Sequence, residues 1–262
     1  MPNISLWLGF ISAGAILSWS LLQQGVARNI LNAHGLLIVL GGAAAAMLIS
    51  TPASQLLAAL RALLWIMAPS GLPTREEAAA EIIRLSRKAR AEGGLLSLRD
   101  ESPDFADGFL RRALATAAAC SETSAARQIL EGEIRNRRLS RQEEANVFRT
   151  LGTLSPMFGL LGTLLGMLTV LTAMSDPAKL GPAMALALSS AFIGIVVANF
   201  FCVPIAGQIR LLAMRQTLLL EMIMEGALDI AINRPVYQVE MRMASYLQNP
   251  GAPAEGSSAG PA

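Results

Sequence analysis

The sequence predicts an all-α membrane protein: four transmembrane helices, a large helical cytoplasmic segment between spans two and three, and a long helix after span four. Three observations predict it. Of 262 residues, 53% are hydrophobic and only 15% charged, against about 25% charged in an ordinary soluble domain. Four apolar stretches approach the roughly 20 helical residues that cross a bilayer core. Outside them, apolar residues recur at helical spacing, and no strand-like alternation occurs.

The spans are read as Ile4–Leu22, His34–Ser50, Leu151–Met174 and Gly181–Gln208, and the last two contain no Asp, Glu, Lys, Arg or His. No basic residue precedes Arg28, so the first run lacks the basic start of a signal peptide and reads as a retained span. A shorter run, Leu56–Pro69, carries Arg61 and reads as an interfacial helix. All Lys and Arg except Arg28 and Lys179 lie in 51–150 or after Gln208. The positive-inside rule places those regions, and with four spans both termini, in the cytoplasm.

The predicted organisation follows: 1–50, two spans; 51–150, a cytoplasmic helical segment; 151–208, two spans; 209–249, a cytoplasmic helical extension; 250–262, a disordered Pro/Gly/Ser/Ala-rich tail. Within the middle segment, "TREEAAAEIIRLSRKARAEGG" opens with a capping box of Thr74 and Glu77. "SPDFADGFLRRALATAAAC" and "SAARQILEGEIRNRRLSRQEEANVFRTL" predict two more helices, and the helix after span four is expected to stop at Pro235.

The third and fourth spans carry the informative residues. Lipid gives helices little hydrophobic reason to associate, so contact depends on small residues that let backbones approach. Gly159, Gly162 and Gly166 form such a face on span three; Ala187 and Gly194 belong to a matching stripe on span four. Pro156 and Pro204 sit near matched ends of the two spans, where each is a simple kink or part of a hinge. The hydroxyls of Thr163, Ser189 and Ser190 either bond back to their own helix or line a hydrated path. With no carboxylate, basic group or histidine in either span, a proton relay needs a carboxylate from another chain.

The "PMFGLLGTLLG" core (Pro156–Gly166), the "GPAMA…G…AN….P" pattern (Gly181–Pro204), "HGLLIVLGGAAAAMLIS" and "EGALDIAINRP" together resemble the MotA/PomA family, the A subunit of the bacterial flagellar stator. The resemblance covers nearly the whole chain and ends near Asn249. It implies an ion-conducting subunit of the inner membrane, five copies around two MotB/PomB-like B subunits whose span carries the essential aspartate, pushing on the rotor protein FliG. It assigns Pro156 and Pro204 to coupling, and Thr163, Ser189 and Ser190 to the ion path. Arg111 and Arg112 match the rotor-binding basic position, with Glu122 as candidate acidic partner. The transported ion is H+ or Na+, and the serine pair leans to H+.

Related TolQ and ExbB energy transducers have one span before the cytoplasmic region, whereas this chain shows two. A packing scaffold without a channel is the third reading. The sequence offers no nucleophile–base pair, metal cluster or phosphate loop, and neither an enzyme nor a nucleic-acid binder is expected. The lone histidine, His34, and the unspaced Cys120 and Cys202 predict neither a metal site nor a disulfide. No cofactor is expected; lipids, the B subunit and FliG are the expected partners.

Overall fold

The computed structural model describes residues 4–23, 33–67, 71–92, 94–98, 101–172, 174–175 and 177–247. Arg28 and the tail from residue 250 lie outside them. Among the described residues every regular element is helical: α1 (Ile4–Gln23), α2 (Ala33–Ser50), α3 (Ala53–Met67), α4 (Arg75–Ala91), a 3-10 turn (Leu95–Leu98), α5 (Phe109–Ala119), α6 (Thr123–Thr172), α7 (Pro177–Val196), α8 (Val203–Ala231) and α9 (Val236–Leu247). Three helical stretches are long and apolar enough to cross a membrane: α2, α6, and the run Leu180–Ala231 through α7 and α8. The helix expected at Ile4–Leu22 is present as α1.

The sequence understated helical continuity. The helix expected to begin at Ser124 and the third span form one uninterrupted 50-residue helix, α6, with Pro156 inside it. Span four runs on into its extension, as expected, but through an unexpected π-turn at Val197–Cys202. A second π-turn, Leu37–Gly41, lies within α2. Both have a positional effect. Residues four apart drift around an α-helix, because a turn holds 3.6. A π-turn is wider and cancels the drift, so Gly35, Val39, Ala43 and Met47 stay buried on one face of α2. Gly194, Ala198 and Cys202 do the same across the second π-turn.

The chain divides into two compact units. The first takes residues 1–70 and 139–213. Near one end of its helices, Ala59, Ala62 and Ile66 of α3 pack with Ala145, Phe148, Ile205 and Ile209. Beside them Arg141 lies over the Trp65 ring, 4.2 Å from its centroid, and pairs with Glu144 at 2.8 Å.

The second unit takes residues 71–138 and 214–262. Its core joins Ile82 and Leu85 of α4, Phe109 and Leu110 of α5, Leu130 of α6, Leu220 and Ile223 of α8, and Met243 of α9. Helix α4 starts on the expected capping box: Glu77 N–H donates to Thr74 Oγ1 at 3.2 Å, and Thr74 N–H to the Glu77 carboxylate at 2.8 Å. Helix α5 starts later than expected, at Phe109, because residues 102–108 take a tight turn through left-handed backbone at Ala106, Asp107 and Gly108. Helix α8 ends at Ala231, and in the turn that follows Asn233 takes a φ of 53°, which suits a short polar side chain. Pro235 then starts α9, a helix beyond the expected stop.

Ion pairs bind the second unit around Glu225. Arg127 holds it bidentately, with Nη2 at 2.9 Å, and Arg242 reaches it at 2.7 Å. One turn on, Asp229 is 2% exposed, with Arg242 and Arg234 at 3.2 and 3.3 Å from Oδ1. Its Oδ2 is buried without a hydrogen-bond partner among the described residues. Arginine contact holds Glu225 below the usual carboxylate range, while burial pushes Asp229 above it.

Candidate ion path between two charge-free helices

Residues 151–172 of α6 and 180–208 of α7–α8 contain no charged residue. They pack antiparallel through their small side chains. A Cβ on Gly166 would fall 2.6 Å from the Cβ of Ala187; one on Gly162 would fall 2.5 Å from the Cβ of Ser190. Gly194 rests on the other end of the same seam, where a Cβ would come 2.6 Å from the Ser155 carbonyl oxygen and 3.2 Å from Pro156 Cα. These distances leave no room for a side chain, so glycine sets the helix separation. Helix α2 closes a third side: Gly35 faces both serines, and a Cβ there would lie 3.1 Å from Ser190 Oγ and 3.2 Å from Ser189 Oγ.

Five sequence-predicted residues thus meet in one seam: Gly159, Gly162, Gly166, Ala187 and Gly194 are all buried. Ser189 and Ser190 sit inside it, 1% and 0% exposed. Each donates its hydroxyl hydrogen to the Leu186 carbonyl, at 3.0 and 2.9 Å. Thr163 is half-buried and donates to Leu160 O at 2.6 Å. All three hydroxyls therefore spend their hydrogen within their own helix. Their lone pairs remain, and a hydroxyl oxygen with a committed hydrogen is an acceptor only. The seam offers oxygen acceptors to a cation or a donor, and no group that ionises.

The two prolines occupy different settings. Pro156 is half-buried against Gly194. Pro204 is exposed and lines a groove of about 240 Å³ with Gly9, Phe10, Ala13, Asn199, Phe200 and Gln208. The π-turn ends just before Pro204, and the Asn199 side-chain amide donates to the Ile195 carbonyl at 3.0 Å. Sequence reasoning missed Asn199 and both π-turns. The available signals were a polar residue inside a charge-free span and a proline shortly after it.

The predicted rotor-facing residues separate. Arg111 is exposed and makes no ion pair among the described residues. Arg112 is engaged: Nη2 reaches Glu133 at 3.0 Å, Nη1 donates to the Asp107 carbonyl at 3.1 Å, and its guanidinium lies over the Phe109 ring. Glu122 is exposed and accepts the Ser124 hydroxyl at 3.0 Å.

Residues 101–222, which include the whole seam from Gly159 to Gly194, match the MotA/TolQ/ExbB proton channel family. The chain carries a MotA/TolQ/ExbB domain. Motility protein A of Treponema pallidum is 26% identical over 94% of this chain and 94% of its own length. Two solved structures share the fold: C. jejuni MotAB, TM-score 0.85 at 21% identity over 96% of this chain and 99% of that one, and the flagellar MotAB stator complex of Bacillus subtilis, TM-score 0.79 at 24% identity over 90% and 94%. The matched residues include the α6–α7 seam, whose lining on 151–172 and 180–208 carries no charged residue.

Proposed function

We propose that this chain is the A-type stator subunit of a bacterial flagellar motor, conducting cations through the inner membrane and coupling their flow to torque. The observation that carries the reading is the glycine-fitted, charge-free seam with two buried serines. It would provide a channel wall that lacks its own proton carrier, and the two similar solved chains belong to MotAB structures, which supports a B subunit as the source of one. A B subunit with a membrane-embedded aspartate completes the path.

In this reading α1, α2, α6 and α7–α8 are the four spans, with both termini and the 71–138 unit in the cytoplasm. Five copies surround two B subunits, and the oxygen-lined wall next to Thr163, Ser189 and Ser190 passes H+, with Na+ the alternative. Pro156 and Pro204 transmit the change in cation occupancy, and exposed Arg111, with Glu122, meets the rotor protein FliG. Deleting the chain should leave cells flagellated but unable to swim. Restoring it should restore swimming only when the B subunit retains its intramembrane carboxylate. Swimming with that carboxylate replaced by an amide would overturn the reading.

A further inference from the structure

Three arginines mark one level of the first unit. Arg61, Arg149 and Arg210 each adjoin a residue of the same apolar contact, namely Ala62, Phe148 and Ile209. All three are exposed, and none pairs with a carboxylate among the described residues. Nearby Glu144 is taken by Arg141, which leaves Glu143 as the one exposed carboxylate on that part of α6. The level is therefore net positive.

Helix α3 adds an apolar counterpart. Leu57, Leu60 and Leu64 recur at helical spacing and are 56%, 59% and 68% exposed. Trp65 follows, held under Arg141. A helix with exposed leucines, a tryptophan and an adjacent arginine fits the boundary between headgroups and acyl chains. Basic side chains at that depth attract anionic headgroups.

We infer that Arg61, Arg149 and Arg210, with the leucine face of α3, form a binding site for anionic phospholipid headgroups. The guanidinium groups take the phosphates, for which their fork of donors is suited, and Leu57, Leu60 and Leu64 lie among the acyl chains. The site fixes the depth of α3 and so of the α6 and α8 segments packed on it. It rests on the membrane placement proposed above but not on the direction of insertion.

The test uses the complex of this chain with its B subunit in neutral detergent micelles, which have no inside or outside. Retained phosphatidylglycerol and phosphatidylcholine are counted by native mass spectrometry. The wild type should prefer phosphatidylglycerol, with each arginine contributing on the order of fivefold at low salt. R61Q/R149Q/R210Q should lose the preference; R61K/R149K/R210K should keep most of it; R135Q/R138Q, exposed arginines of the other unit, should not change it. If the triple glutamine variant fails to assemble, the three single variants should each lower the ratio. Equal retention of both lipids by the wild type, or an unchanged preference in the glutamine variants, overturns the assignment.

Discussion

Ser190 and Gly162 touch across the α6–α7 seam so closely that a side-chain carbon on the glycine would stand 2.6 Å from the serine hydroxyl oxygen. That contact fixes helix spacing and the position of a buried hydroxyl at once. Gly162→Ala should therefore overpack the seam, at about 1–3 kcal/mol, and reduce both stator level and ion flux. Gly207→Ala, where a Cβ meets nothing within 4 Å, should leave both unchanged. Quantifying membrane-inserted protein beside swimming speed checks the pair.

The serines and the threonine separate packing from conduction. Ser190→Ala removes a hydroxyl whose hydrogen is already bonded within its own helix, so the folded level should stay near wild type. Ion flux should fall, and Thr163→Ala should reduce it modestly. Flux of wild-type magnitude in both variants would leave the hydroxyls as local caps on carbonyls.

Pro156 and Pro204 each sit within a helix that runs on through them, and each lacks the backbone N–H that a helical residue donates. Pro156→Leu and Pro204→Leu restore a peptide N–H and should stiffen the helix. Membrane insertion should survive, while torque measured on tethered cells should largely disappear. Normal torque would count against a coupling role.

The neighbouring carboxylates Glu225 and Asp229 should give opposite pH signatures in the cytoplasmic unit. Arginine bonding lowers the Glu225 pKa. Its contribution is complete above the ordinary glutamate range and fades as pH falls through the lowered folded value. Removing it in Glu225→Gln should cost about 1.5–3 kcal/mol at neutral pH. Burial raises the Asp229 pKa despite two arginines, so between its ordinary and raised values the native state binds more protons and stability declines with rising pH. Asp229→Asn should match or exceed wild-type stability at pH 7.5, and its advantage should shrink on acidification. Thermal melts at several pH values decide both.

Arg111 and Arg112, adjacent in sequence, should behave differently. Arg112→Glu sets a second acid beside Glu133 and removes the guanidinium over Phe109, so it should destabilise the unit. Arg111→Glu should leave stability intact and weaken torque without lowering ion flux. Comparing melting temperature, flux and torque for the two variants checks this.

Much of this architecture was legible in the sequence, for identifiable reasons. Small residues at three- and four-residue steps announced the seam, because only close approach rewards them in lipid. Thr74 and Glu77 announced the start of α4. The continuity of α6 through Pro156 was not legible, since a proline warns of a break and its neighbours decide whether one occurs. Nor were the π-turns, which keep Gly35 and Cys202 in register without any residue type of their own. Arg112 looked equivalent to Arg111 until α6 placed Glu133 beside it. The buried Asp229 was hidden because a carboxylate in a helical run reads as solvated.

The central claim is that this chain supplies a neutral wall and another chain supplies the acid. Ion flux into proteoliposomes, measured with the chain alone and with its B subunit, tests it most directly. Flux should appear only with the B subunit and vanish when that subunit's membrane carboxylate is amidated; proton or sodium conduction by the chain alone would contradict the account.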